Sequence, residues 1–230
     1  MPNLGEAAMA TTASHAGLTM GHIALHYPAP ADGPLAARLL SQMGLTESQM
    51  LPLPGGNFYR FVVSPDHVTR GDGIVFLSCL PEPQARLITA IRAALHIGTD
   101  NEHEAVKAYR AMMAQDFEAS FHFGLLMDSL EALETMVLNL QDLAANDLDL
   151  KGRLTIGMNR ARPGDAEIDA RLDASPVFEN ATPYAYGAGG VQVFVETNLV
   201  CAGQLGESMV FEFDYVFPDK NSHILSVVEL

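Results

Sequence analysis

The chain has no tryptophan, only two cysteines in 230 residues, and 13 basic residues against 28 acidic ones. The shortage of lysine and arginine leaves a formal charge of −15. Such a surface repels phosphate backbones and anionic headgroups, so neither nucleic acid nor a membrane is expected as a partner. A small anionic ligand stays compatible wherever a local cation inverts the field. Cys79 and Cys201 are too few for a disulfide framework and lie in strand-like runs, so both are expected to be buried free thiols. No apolar run approaches the roughly 20 residues that span a bilayer. No basic stretch followed by a long apolar one marks a secretory signal, and the cytoplasm is the expected compartment. The sequence also lacks a glycine-rich dinucleotide fingerprint, a P-loop, a Gly-x-Ser-x-Gly elbow, a CxxC pair and an HExxH helix. What remains is 48% hydrophobic and 18% charged, the composition of an ordinary folded protein of one large domain or two small ones.

Along the chain one order of elements occurs twice. Residues 1–17 read as a mobile leader. Leu18–Tyr27 is a strand-like run, and a Pro/Ala/Asp/Gly turn leads to a helix over Leu35–Met43, with apolar residues at helical spacing and Gly44 as its stop. Three further strands are expected at Glu47–Leu53, Asn57–Ser64 and Ile74–Leu80. The second copy begins at Ser120–Met127 and continues into a helix over Ser129–Ala145, with Asp128 or Ser129 as its N-cap. Strands at Leu154–Ala161, Gly190–Asn198 and Met209–Phe217 complete it, with a long irregular stretch over Arg162–Gly189. The fold class read from this is α+β. Two βαβββ modules, 18–81 and 119–230, are joined by a helical spacer, 82–118. The spacer reads as a linker packed on one edge, with an oligomer contact or a lid as its other roles.

Three residues stand out against the duplication. His22 and His122 occupy equivalent places in the two first strands, 100 positions apart. Glu212 is a lone acid in the apolar run VFEFDYVF, on one strand face with Val210 and Asp214, while Phe211, Phe213 and Tyr215 look like core. An acid inside a packed strand needs a partner, and a metal ion would supply one. The plain alternative for each histidine is a satisfied strand residue, and for Glu212 an ion pair.

A twice-repeated βαβββ unit with a histidine on each first strand resembles the vicinal oxygen chelate superfamily, which includes glyoxalase I, fosfomycin-resistance proteins and extradiol dioxygenases. The resemblance implies two curled sheets, each a half-barrel, enclosing one site. It implies metal ligands on the first and last strands, at His22, His122 and Glu212. Aligning the turns before the last strands sets Leu77 opposite Glu212, or Ser78 if the register slips by one, so a fourth glyoxalase-type ligand is missing.

Two imidazoles and a carboxylate on one side of an ion suit Fe(II) first, with Mn(II) or Zn(II) as alternatives, and leave positions for a substrate chelating through adjacent oxygens. His26, four residues beyond His22 on the same face, is a candidate general base. Tyr184 and Tyr186, before a strand, are candidate donors to a bound oxygen. Tyr59 and Arg60 are candidate substrate contacts, with Arg60 able to clamp a carboxylate. The expected function is a metal-dependent dioxygenase on an aromatic diol or keto acid. An isomerase, epimerase or lyase is the first alternative, and a metal-free binding protein on the same scaffold the second. The expected partner is a small-molecule substrate, with a homodimer left open.

Overall fold

The apolar alternation of the first run places β1 at His22–Tyr27. Leu25 and Tyr27 enter the core, while His22, Ala24 and His26 take the other face. The structure is a computed structural model, and it describes residues 19–184, 187–202 and 207–220. After β1 come α1 (Gly33–Gln42), β2 (Thr46–Leu51), β3 (Phe58–Val62) and β4 (Ile74–Cys79). Helix α1 carries Pro34 in its first turn, where a missing N–H costs nothing. It ends at Gly44, whose φ of +91 is the left-handed conformation that favours glycine.

The spacer contains α2 (Glu82–Ala94) and α3 (Glu104–Gln115), which bury Ile88 and Val106 respectively. A short 3-10 turn, Phe117–Ala119, then leads into β5 (His122–Leu126). Helix α4 (Leu130–Asn146) starts at Ser129, whose hydroxyl accepts from the Ala132 amide. Strand β6 (Leu154–Arg160), helix α5 (Ala166–Asp173), the two-residue β7 (Thr182–Pro183), β8 (Gly190–Ala202) and β9 (Glu207–Val216) follow.

The segment 162–189 is therefore not irregular throughout. Asp165 caps α5, whose Ile168 and Leu172 are buried at a four-residue spacing. Arg171 then donates to both carboxylate oxygens of Glu134 on α4, at 3.0 and 2.8 Å.

The strands form one nine-stranded mixed sheet that does not close into a barrel. Within it the order β2-β3-β4-β1 is matched by β6-β8-β9-β5, and in each group the first strand runs parallel to the last. His22 stands opposite Ile74 as His122 stands opposite Val210. Phe76, rather than Leu77, therefore holds the place equivalent to Glu212. The tail of β8 runs past the end of β6, and there β1 joins it at His26 and Cys201.

Helices α1 and α4 cover one side of the sheet. They pack Leu39, Leu40, Leu133, Val137 and Leu140 against Phe61, Leu77, Phe211 and Phe213 in a single core. Full burial of side chains of this size contributes about 1.5–3 kcal/mol each. Both cysteines are free thiols, half-buried rather than buried. No helix among the described residues is long and apolar enough to cross a membrane.

Candidate metal centre

The face of the second strand group opposite α4 is built by alternation. Glu212 and Asp214 project from β9, Gln192 and Phe194 stand across from them on β8, and His122 and Gly124 lie on β5. Apolar neighbours on the other face lock β9 in place, with Phe211 and Phe213 fully buried. The register has no freedom, because a slip of one residue would drive both acids into that core.

The donor atoms of Glu118, His122 and Glu212 all lie within 4.8 Å of one another. Bonds of 2.0–2.2 Å to a shared ion would separate two ligand atoms by about 3–4.2 Å. His122 Nε2 is 3.0 Å from Glu212 Oε2, and its Nδ1 is 2.9 Å from the carbonyl oxygen of Ser120. A carbonyl only accepts, so Nδ1 carries the hydrogen. In the neutral ring Nε2 then turns a lone pair toward a carboxylate oxygen, and that contact calls for a proton or a cation between the two.

Gln192 orders the carboxylates. Its amide nitrogen donates to Glu118 Oε1 at 2.5 Å and to Glu212 Oε1 at 2.6 Å. Asn159 on β6 fixes the amide's orientation by donating to Gln192 Oε1 at 3.1 Å. Tyr184 donates to Glu118, and burial and that carboxylate push its phenol well above the ordinary range. Phe117 delivers Glu118. Its ring stacks on Phe194 at 5.4 Å and 12° and lies over Gly157, where a β-carbon would meet it at 2.5 Å.

Three carboxyl groups share this small volume. Burial, then the Glu118 carboxylate, raises the pKa of Glu212. Burial, then Glu212, raises Asp214 to about 8. Asp214 is hydrogen-bonded to Glu212, while its Oδ1 is buried without a partner. The cluster thus holds a proton near neutrality, and a divalent ion would relieve the same repulsion. The donor set of two carboxylates and one imidazole fits such an ion.

The sequence reading placed His22 in the triad, and the structure brings Glu118 there instead. His22 is exposed on β1, its ring 5.2 Å from Phe76. The two groups of strands join edge to edge through β1 and β8, so equivalent positions do not face one another. The other candidates on the first group stay with it. His26 bonds Ser78 Oγ at 3.1 Å. Tyr59 is core, 4% exposed, and its hydroxyl accepts from Asn57. Arg60 donates to Ser48 Oγ and the carbonyl of Val68. Tyr184 reaches the cluster, and Tyr186 lies outside the described residues.

Glu118, Gln192 and the role of Asp214 were missed. Gln192 carried the same signal as Glu212, a polar residue inside an apolar strand run. Glu118 carried none, since it sits on a turn that local pattern does not orient. Comparison with known proteins finds no family model that matches the chain and no curated protein sequence that matches it.

Proposed function

We propose that this chain is a divalent-metal-dependent enzyme of the vicinal oxygen chelate type, acting on a small substrate that chelates through adjacent oxygens. The observation that carries the reading is the His122 Nε2 to Glu212 Oε2 contact of 3.0 Å, with Nδ1 committed to Ser120 and Glu118 within the same reach. The repeated strand order supports the finer fold reading, in which each βαβββ unit is one half of a curled pair.

Glu118, His122 and Glu212 would hold the ion. When bound, it supplies Lewis acidity that lowers the pKa of a substrate oxygen. Gln192 keeps both carboxylates turned to one point, so little reorganisation is needed on binding. Tyr184, donating to Glu118, keeps that carboxylate from swinging to solvent. Asp214 stores a proton beside Glu212 and is placed to exchange it with a substrate oxygen.

One imidazole with two carboxylates is a harder set than two imidazoles with one, which favours Mn(II). It lacks the two-histidine triad characteristic of Fe(II), and Zn(II) also takes His and carboxylate ligands. An isomerase or lyase, moving a proton next to a carbonyl, is therefore preferred to the dioxygenase, whose support was a triad containing His22. The cytoplasm remains the proposed compartment, in keeping with two free thiols.

The test is metal content and Mn(II) or Zn(II) titration of the protein purified without chelator. The expectation is one ion per chain, lost in His122→Ala, Glu212→Gln and Glu118→Gln and kept in His22→Ala. An ion held equally by all four variants, or no ion bound at micromolar concentration, overturns the reading and leaves a metal-free binding protein.

A further inference from the structure

A groove of about 950 Å³ separates the two strand groups on the helix side. One wall is β5 and the start of α4. The other is Met43–Leu45 after α1, with Val63 and Ser64 after β3. Its position follows from a break in the internal symmetry. Strand β1 corresponds to β5, and β3 to β8. On one side of the molecule β1 pairs with the tail of β8, through His26 and Cys201. The corresponding junction would join β5 to the continuation of β3. That continuation does not form, because Pro65 starts a 3-10 turn where β8 runs on to Ala202. The groove occupies the missing junction.

Among the described residues the edge of β5 facing it carries no strand, and β5 pairs with β9 alone. The Met127 amide donates to Asp214, so by strand alternation the N–H and C=O of Phe123 and Leu125 also point to β9. Those of Gly124 and Leu126 point the other way. Leu126 corresponds to His26, whose backbone faces β8 at the filled junction. Its side chain is 60% exposed, and β5 carries no lysine, proline or bulge to guard its edge.

The walls are apolar and adaptable, with Met20, Met43, Met127 and Met136 among them. Where β5 leads into α4, Asp128 and Glu131 line the groove. On a chain of charge −15 they disfavour an anionic occupant.

We propose that this groove binds an extended apolar peptide with a basic residue at its N-terminal end, added as an antiparallel strand along β5 through the backbone of Gly124 and Leu126. The pairing repeats the one that β8 makes with β1, and the basic end lies against Asp128. This site is separate from the metal centre and does not depend on it.

The probe is the acetylated, amidated peptide KTNLVSA, whose lysine falls beyond the Leu126 pairing on the Asp128 side when the strand runs antiparallel as β8 does to β1. It copies residues 197–202, with serine for Cys201 and an added lysine. Fluorescence anisotropy of the labelled peptide against the full chain is expected to give saturable one-to-one binding. Leu126→Pro removes the groove-facing N–H while leaving the Met127 bond to Asp214, and weakens binding about tenfold. N-methylation of the peptide at alternate residues weakens it comparably in one register and hardly in the other. That arm uses the unmodified protein and decides the matter if Leu126→Pro does not fold. No binding at about 1 mM peptide overturns the proposal. So does binding indifferent to both N-methylation registers, which would mark a site for apolar small molecules instead.

Discussion

The two halves of the sheet share strand order and register, yet their open faces differ in chemistry. On the second, Gln192, Glu212 and Asp214 meet His122 and Glu118 in a bonded polar cluster. On the first, the equivalent places are held by Phe58, Phe76 and Ser78, and Phe58 and Phe76 pack ring to ring at 5.4 Å. The first-strand histidine is common to both. Beside an aromatic ring His22 makes an ordinary ring contact, while beside two carboxylates His122 becomes a candidate ligand. A histidine at a repeated position is therefore a property of the scaffold, and its neighbours on the last strand decide its use. The spacer adds a second asymmetry, because Glu118 arrives only before the second unit.

The largest effect should come from removing that asymmetry at the ligands. His122→Ala or Glu212→Gln is expected to weaken Mn(II) or Zn(II) binding by about 100-fold or more, while His22→Ala changes it less than about twofold. Calorimetric titration of the three variants reads this directly, and equal losses at both histidines would erase the distinction between the halves.

Next is the seat of the spacer. Gly157→Ala sets a β-carbon 2.5 Å from Phe117. It should cost about 1–3 kcal/mol in denaturant melts and weaken metal binding by moving Glu118.

The third is a pH effect confined to the second half. Asp214 is raised from 3.8 to about 8 in the folded, metal-free protein. Between those values the native state holds a proton that the unfolded chain has lost, so the contribution of Asp214 to stability is full below pH 4 and is lost as pH rises toward 8. The slope is at most about 1.4 kcal/mol per pH unit. Asp214→Asn should flatten it in chemical denaturation at several pH values, and an unchanged slope would remove the stored proton.

The smallest effect makes the second half more like the first. Gly124→Ala copies Ala24, and its β-carbon would meet Glu212 Oε2 at an ordinary 3.7 Å. The expected change in stability is within about 0.5 kcal/mol, and a larger loss would mean that the two first strands are less alike than their registers indicate.

Much of the fold was legible because alternation and helical spacing are local signals. The duplicated order, the Ser129 cap and the Gly44 stop follow from neighbours in sequence. Glu212 was legible for a related reason, as an acid in a run whose other face had to be core. Helix α5 escaped because only Ile168 and Leu172 mark its buried face. Equivalence along the chain does not give proximity in space, and His22 lies outside the cluster for that reason. The facing of β3 is not a local signal either, and β3 sends Tyr59 into the core and Arg60 to Ser48, neither into a pocket.

The amino-acid order alone determined most of the elements, their repetition and the acid that one face of β9 had to accommodate, since these depend on contacts a few residues long. Only the tertiary structure decided which histidine met which carboxylate. That outcome depends on how the two halves of the sheet join: β1 against the tail of β8 on one side, and an open groove on the other. Edge pairing between segments about 175 residues apart leaves no trace in local periodicity, and it is this pairing that leaves His22 outside the cluster and Glu118 within it.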